Sequence, residues 1–189
     1  MIIALEGIDN AGKTSIAEKL MSYFQGMGKQ VIISKELTTR VGSTIKESFK
    51  NEGLSSISKT FLFAADRQIR IEQLKEELTN DKIIIFDRYI YSAVVYREAE
   101  GVDGNWVKEI NRNVPQSDIC IYIDITPEES LKRNTDTKFN IHYTLAHLEK
   151  VRNAYHKYVN LGEMMIIDGM RAIDDVLKDV IDVIEKGRK

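Results

Sequence analysis

Short apolar runs alternate with helical stretches along the whole of this chain. Five of these runs predict buried strands, at residues 2–5, 30–34, 82–86, 118–124 and 164–167. Helices are predicted at residues 15–23, 43–50, 56–78, 90–100, 105–113, 128–133, 141–161 and 171–186. Strands that alternate with helices are typical of a parallel sheet covered on both faces. The pattern therefore predicts an α/β fold of three layers, with a five-stranded parallel sheet flanked by helices.

Capping residues and apolar spacing refine the predicted helices. Ser43 is predicted to cap the helix at 43–50, and Thr126 the helix at 128–133, with Pro127 at its first position. On the longest helix, the positions predicted to face inward are Ile57, Phe61, Ala65, Leu74 and Leu78. These assignments predict where two helices begin and which face of the longest helix is buried.

Composition narrows the class of protein. A chain of 189 residues with 43% hydrophobic content is long enough for one core, so we expect a single domain over residues 1–189. Its 27 basic and 29 acidic residues nearly cancel, which argues against a general nucleic-acid binder. The single cysteine, Cys120, lies within an apolar run and is predicted to be a buried structural thiol. We expect no signal peptide and no membrane span, and therefore a cytoplasmic protein.

The first predicted strand leads directly into a phosphate-binding motif. Gly7-x-x-x-x-Gly12-Lys13-Thr14 fits the pattern G-x-x-x-x-G-K-[ST], between a predicted strand and a predicted helix. Such a loop needs glycines because its backbone turns tightly and brings N–H groups onto phosphate oxygens. The residues predicted to bind ATP here are Gly7, Ile8, Asp9, Asn10, Ala11, Gly12, Lys13, Thr14 and Ser15. The motif predicts a protein that binds a nucleoside triphosphate.

A second pair of candidate residues stands at the carboxyl end of the third predicted strand, where ligands of such sheets bind. Asp87 could hold Mg²⁺ together with the Thr14 hydroxyl, and Arg88 could clamp a phosphate with two hydrogen bonds. The alternative is that Asp87 caps the next helix and Arg88 is a surface charge.

Phe63 and Arg67 are four residues apart on the long predicted helix and therefore share a face. An aromatic ring beside a guanidinium suits a flat base that carries acceptor atoms on its edge. From spacing alone, the alternative is a core phenylalanine and a solvated arginine.

Taken together, these motifs resemble the thymidylate kinase family, which belongs to the P-loop nucleoside monophosphate kinases. The similar segments are LEGIDNAGKT at 5–14, LFAADR at 62–67, DRYIYSAVVY at 87–96, IDITPEESLKR at 123–133 and IDG at 167–169. Their order also matches, so the resemblance runs nearly from end to end. It implies a P-loop NTPase fold and transfer of the γ-phosphate of ATP to dTMP, giving dTDP and ADP.

The resemblance assigns an acceptor site to six residues: Asp9, Phe63, Arg67, Arg88, Ser92 and Tyr96. It implies that Phe63 stacks on thymine and that Arg67 hydrogen-bonds its O4 edge. Asp9 would lie near the 3′-hydroxyl, and Arg88 would bind the acceptor phosphate. Tyr96 would occupy the place of a 2′-hydroxyl and so disfavour ribonucleotides.

On the donor side, the resemblance implies that Arg133 stacks on the adenine of ATP and that residues 134–140 form a mobile lid. Lys13, Asp9 and Arg88 are the expected catalytic residues, with Mg²⁺ as the cofactor. An acceptor phosphate is already ionised at neutral pH, with a second pKa of about 6, so no strong general base is needed. The resemblance also implies a homodimer.

Other functions stay open at this point. The sequence departs from the usual family pattern at 35–40, and it has Ala93 and Arg97 where polar base-contacting residues often occur. A kinase of another nucleoside monophosphate is one alternative, and a deoxynucleoside kinase with Glu36 as its base is another. A non-catalytic P-loop nucleotide-binding module is a third, although the Asn-Lys-x-Asp guanine motif is absent from this sequence.

Overall fold

The computed structural model describes residues 1–51, 53–79, 82–133 and 144–187. The strands are β1 (Ile2–Glu6), β2 (Val31–Lys35), β3 (Ile83–Asp87), β4 (Ile119–Asp124) and β5 (Met165–Asp168). The helices are α1 (Lys13–Gly26), α2 (Arg40–Asn51), α3 (Ser56–Gln73), α4 (Lys75–Thr79), α5 (Ile90–Ala99), α6 (Gly104–Ile110), α7 (Pro127–Lys132), α8 (Leu145–Asn160) and α9 (Ile173–Gly187). The predicted lid at 134–140 lies outside the described residues.

The five strands form one parallel sheet in the order β2-β3-β1-β4-β5. Every residue of β1 and β3 is buried, as expected for central strands covered by helices on both faces. This sheet, flanked by helices, confirms the predicted α/β fold. Among the described helices, none is long and apolar enough to cross a membrane.

Strand register brings the motifs to one edge of the sheet. Leu5 pairs with Asp87 across β1 and β3, and Glu6 pairs with Tyr122 across β1 and β4. Further along the sheet, Asp124 pairs with Asp168 across β4 and β5. The segments that follow these strands therefore leave the sheet together, at its carboxyl edge, where ligands of such folds bind.

The long helix predicted at 56–78 is wrong in two respects. It is divided into α3 and α4, with Leu74 as the C-cap of α3. Three of its predicted inward residues are exposed: Ile57 by 47%, Phe61 by 55%, and Ala65 as well. The buried residues of α3 are instead Thr60, Asp66, Arg67 and Ile71. Polar residues occupy the inner face because they have hydrogen-bond partners in the interior, which spacing alone does not reveal.

The predicted cap at Ser43 is also wrong, because α2 begins at Arg40. The Thr39 hydroxyl accepts a hydrogen bond from the Gly42 amide at 3.2 Å, as a capping residue does. By contrast, the cap at Thr126 is confirmed, since its side chain accepts from the Glu129 amide.

Candidate active site

The loop between β1 and α1 has the backbone of a phosphate cradle. Gly7, Asn10 and Gly12 all have positive φ angles, of 149°, 59° and 89°. A Cβ atom on Gly7 would lie 2.7 Å from the carbonyl oxygen of Ile123 in β4, so this position requires glycine. The loop opens into α1 at Lys13, and a helix N-terminus attracts anions.

Helix α7 braces the same loop from the side. The Asn10 side-chain amide donates to the carbonyl of Ser130 at 3.0 Å. The Ser130 hydroxyl in turn donates to the carbonyl of Asp9 at 2.7 Å. These two hydrogen bonds hold the loop in its turned conformation without using its own N–H groups.

Lys13 lies across the loop and is 5% exposed. Its Nζ donates to the carbonyl oxygens of Gly7 at 3.1 Å and Ile8 at 2.7 Å. Burial, assisted by the positive charge of Arg88, lowers the pKa of Lys13 to about 8. An anion bound in the loop would favour the charged amine, since opposite charges stabilise each other most strongly where water is excluded.

The two predicted metal ligands touch each other. The Thr14 hydroxyl donates a short hydrogen bond to Oδ2 of Asp87, the last residue of β3. A hydroxyl and a carboxylate are the oxygen ligands that Mg²⁺ prefers, so these residues fit the ion. The N-cap of α5 is Tyr89, so the alternative that Asp87 caps this helix is wrong.

Arg88 connects the loop to α5 and has a positive φ angle of 73°, a strained conformation typical of functional sites. Its Nη1 donates to the Gly7 carbonyl at 3.0 Å and to Ser92 Oγ at 3.2 Å. Its Nη2 donates to Asp9 Oδ1 at 2.6 Å and to the Tyr96 hydroxyl at 3.3 Å. With four partners inside the site, Arg88 is not the solvated surface charge of the alternative interpretation.

The negative charge of Asp9 is stabilised by the same cluster. Burial would raise the pKa of Asp9, but the positive charges of Arg88 and Lys13 outweigh it and lower the pKa. The Tyr96 hydroxyl adds a hydrogen bond to Asp9 Oδ2 at 3.2 Å. Three predicted site residues, Asp9, Arg88 and Tyr96, therefore form one connected group.

Glu6, a fully buried carboxylate beneath this group, was missed by the sequence analysis. It accepts hydrogen bonds from the Tyr89 amide at 3.1 Å, the Tyr155 hydroxyl at 3.1 Å and, over a short distance, the Ser92 hydroxyl. Burial raises the pKa of Glu6. Ser92 is 3% exposed and lies between Glu6 and Arg88, which places it behind the arginine rather than on an open surface. The sequence offered one indication that Glu6 belongs to the site, namely a charged residue at the end of an apolar strand.

The two residues predicted to recognise a base lie together on α3. Arg67 is 4% exposed, donates from Nη1 to Asn111 Oδ1 at 2.6 Å, and forms a short ion pair from Nη2 to Glu36. The alternative of a solvated arginine is therefore wrong. Phe63 is partly buried, and the guanidinium of Arg97 lies 5.8 Å from the centre of its ring. Glu36 forms an ion pair with Arg67, which argues against Glu36 acting as the general base of a deoxynucleoside kinase.

The segment at 35–40 is held by another residue that sequence reasoning missed. Asp66 accepts from the Leu37 amide at 2.8 Å and from the Thr39 hydroxyl at 2.5 Å. Leu37 has a positive φ angle of 59°, so this carboxylate stabilises an unusual turn. The turn lies beside Glu36 and therefore beside the partner of Arg67.

Arg133 stands at the far side of the phosphate loop, directly after α7. Its Nε donates to Glu129 Oε1 at 2.8 Å, and its Nη2 donates to the Gly169 carbonyl at 3.1 Å. The hydrogen bond from Arg133 to Gly169 thus connects two of the segments that resemble thymidylate kinases, 123–133 and 167–169.

Comparisons with known proteins agree on one family. A family model described as thymidylate kinase matches residues 5–180. A probable thymidylate kinase of Sulfurisphaera tokodaii is 33% identical over 184 residues, covering 96% of this chain and 94% of that protein. A probable thymidylate kinase of Staphylothermus marinus is 36% identical over 182 residues, covering 94% of this chain and 91% of that protein. The chain is similar to these proteins over nearly its whole length.

Proposed function

The chain belongs to the thymidylate kinase family, and we propose on this basis that it transfers the γ-phosphate of ATP to dTMP, giving dTDP and ADP. It is an ATP-dependent nucleoside monophosphate kinase. The observation that carries the proposal is the convergence of three groups at one edge of the sheet: the phosphate loop, Arg88 with Asp9, and Arg67 beside Phe63.

We propose that the loop from Gly7 to Ser15 and the N-terminus of α1 hold the phosphates of ATP. Lys13 then leaves the carbonyls of Gly7 and Ile8 and pairs with the β- and γ-phosphates, its charge favoured by theirs. Thr14 and Asp87 would hold Mg²⁺, which supplies positive charge beside the phosphates. Arg133 is proposed to stack on the adenine.

On the acceptor side, we propose that Arg88 binds the phosphate of dTMP. Asp9 and Tyr96 hold two of its hydrogen-bond donors in place, and the buried Glu6 holds it through Ser92. The acceptor phosphate attacks the γ-phosphorus in line, so catalysis consists of positioning and of neutralising the equatorial oxygens. Because that phosphate is already ionised, the site needs no strong general base.

For the base, we propose that Phe63 stacks on thymine and that Arg67 donates to its O4. The hydrogen bond from Arg67 to Asn111 and its ion pair with Glu36 support this role, because they fix the guanidinium plane before substrate arrives. Preorganisation of this kind lowers the entropic cost of binding.

We also propose that the protein is a homodimer in the cytoplasm. The exposed Ile57 and Phe61 on α3 support dimerisation. The Phe61 ring also packs edge-on against Trp106 of α6 at 5.5 Å, which extends the apolar contact to that side chain. The single buried thiol, Cys120, is compatible with a reducing compartment. Analytical ultracentrifugation of the protein and of Phe61→Ser tests the dimer, which the substitution should weaken.

The function is tested by ADP release with ATP and Mg²⁺ against dTMP, dUMP, UMP, dCMP, dGMP and thymidine. We expect turnover to be fastest with dTMP and much slower with UMP. Preference for another monophosphate would retain the phosphate chemistry and reject the assignment of thymine. Binding of ATP without turnover of any acceptor would instead favour a nucleotide-binding module.

A further inference from the structure

Two charged side chains at the end of α5 have buried atoms with no hydrogen-bond partner among the residues that the structure describes. They are Nη1 of Arg97 and Oε2 of Glu100. Arg97 is 4% exposed, so water does not readily satisfy its guanidinium. A buried polar atom that lacks a partner destabilises the fold, and more so if it is charged. In native structures such atoms are paired with water, an ion or a ligand, so their position relative to the proposed base site decides which partner fits.

Their other atoms fix the pair in place. Arg97 Nη2 lies 3.2 Å from Glu100 Oε1, and Lys59 Nζ on α3 donates to the same oxygen at 3.2 Å. These contacts leave Nη1 of Arg97, near the end of α5, and Oε2 of Glu100, the residue that caps α5, without a partner among the described residues.

The pair lies beside the proposed base site. The Arg97 guanidinium is 5.8 Å from the ring centre of Phe63. Lys59, Phe63 and Arg67 follow each other at intervals of four residues on α3 and therefore share one face of that helix. Lys59 and Phe63 on this face contact Glu100 and Arg97. Arg67 also has a buried donor, Nε, without a partner among the described residues. Among the described residues around Phe63, two nitrogen atoms of arginines and one carboxylate oxygen are thus left unpaired.

This set of groups complements one kind of base edge. Thymine and uracil present carbonyl, N–H and carbonyl in order, which is acceptor, donor and acceptor. Cytosine presents an amino donor followed by two acceptors, and its ring N3 has no hydrogen for Glu100 to accept. The proposed contact of Arg67 to O4 sets the register, because arginine has donors only and an ionised glutamate has acceptors only. In that register cytosine would place its amino group against Arg67 and its unprotonated N3 against Glu100, and both contacts would be lost.

We propose that Arg97 and Glu100 together read the imide edge of the base. Arg97 Nη1 donates to a ring carbonyl, and Glu100 Oε2 accepts the N3–H. Arg97 is thereby a specificity-determining residue for the acceptor, and Glu100 both orients it and contacts the base. This inference rests on the proposed function, since it takes dTMP as the acceptor.

The first test uses the unmodified protein and two ligands, dTMP and 3-methyl-dTMP, whose N3 carries a methyl group instead of hydrogen. Isothermal titration calorimetry measures Kd for each, without dependence on turnover. Hydrogen bonds to charged groups predict that N3-methylation weakens binding by about 10- to 150-fold. Equal Kd values for the two ligands would overturn the proposal.

The second test uses Arg97→Met, Glu100→Gln and the double variant. We expect each single variant to raise Kd and KM for dTMP by about tenfold or more, with KM for ATP and kcat within about twofold. The double variant removes both charges, and its preference for dTMP over 3-methyl-dTMP should fall to within about threefold. Glu100→Gln is close to isosteric and provides the measurement if Arg97→Met does not fold.

The matched control is the exposed pair Glu109 and Arg112, which has the same three-residue spacing with side chains 62% and 69% exposed. Its double variant Glu109→Gln/Arg112→Met should leave every constant unchanged. If the Arg97 and Glu100 variants instead lose affinity for ATP and dTMP equally and keep the preference against 3-methyl-dTMP, the pair is structural and the proposal is wrong.

Failure of the proposed function has a different signature. In that case the unmodified protein releases no ADP with dTMP, whatever the result for the variants. The calorimetric comparison still decides the inference, because weak or equal binding of the two ligands would then count against Arg97 and Glu100 as base readers.

Discussion

The replacement Gly7→Ala isolates the role of the phosphate loop. Gly7 has a φ angle of 149°, and an added Cβ would lie 2.7 Å from the carbonyl oxygen of Ile123 and 3.2 Å from Cβ of Ala11. The carbonyl belongs to β4, whose hydrogen bonds to both neighbouring strands hold it in place. The loop must therefore move away from the sheet.

The expected cost has two parts. A side chain in a sparsely populated backbone conformation costs about 1–3 kcal/mol. For a chain of this size that lowers Tm by about 2–12 °C, at 2–4 °C for each kcal/mol. The Gly7 carbonyl also accepts hydrogen bonds from Lys13 at 3.1 Å and Arg88 at 3.0 Å. Movement of the loop displaces both cations, and a misplacement of about 1 Å lowers kcat by about a hundredfold.

Thermal unfolding and steady-state kinetics with ATP and dTMP measure these two effects. The matched control is Gly26→Ala in the last turn of α1, where an added Cβ meets nothing within 4 Å. This control should keep full activity and gain about 0.5–1 kcal/mol in stability, since alanine favours the helix. If Gly7→Ala lowers Tm by less than about 2 °C and keeps kcat within about twofold of the unmodified protein, the loop does not need glycine at this position and the reasoning is refuted.

Three further predictions concern separate parts of the molecule. Lys13→Ala should lower kcat by about 10²–10³-fold while circular dichroism shows an unchanged fold, and retained turnover would mean that another cation binds the phosphates. Arg67→Met should raise KM for dTMP by about tenfold or more and leave KM for ATP unchanged, whereas equal weakening of both would contradict its role at the base. Burial would raise the pKa of Asp124, but hydrogen bonds from Arg152 and Tyr122 outweigh this effect and lower the pKa. The ionised Asp124 therefore stabilises the folded protein fully above the ordinary pKa of 3.8. This contribution to the free energy of unfolding is lost as the pH falls through the lower pKa of the folded state. Denaturation by urea should therefore show a smaller loss of stability between pH 5 and pH 3 in Asp124→Asn than in the unmodified protein, and equal losses would contradict this linkage.

The sequence alone determined the fold class and where the proposed phosphate site lies. Apolar strands alternating with helices already specified a parallel sheet, since this periodicity follows from local geometry. The meeting of the loop from Gly7 to Thr14 with Asp87 and Arg88 could also be predicted, because it depends on short-range spacing and on their place after parallel strands. Helix caps were less predictable: Thr126 was identified correctly, but Ser43 was chosen where Thr39 is the capping residue.

Only the tertiary structure decided which polar residues are buried. Spacing placed Ile57 and Phe61 inside and left Arg67 open to solvent as an alternative, yet the structure exposes both apolar residues and buries Arg67 against Asn111 and Glu36. The partners of Glu6 come from α5 and α8, up to 149 residues away in sequence. A polar side chain is stable in the interior only when such distant partners satisfy its hydrogen bonds, and local sequence carries no record of which partners the fold brings to it.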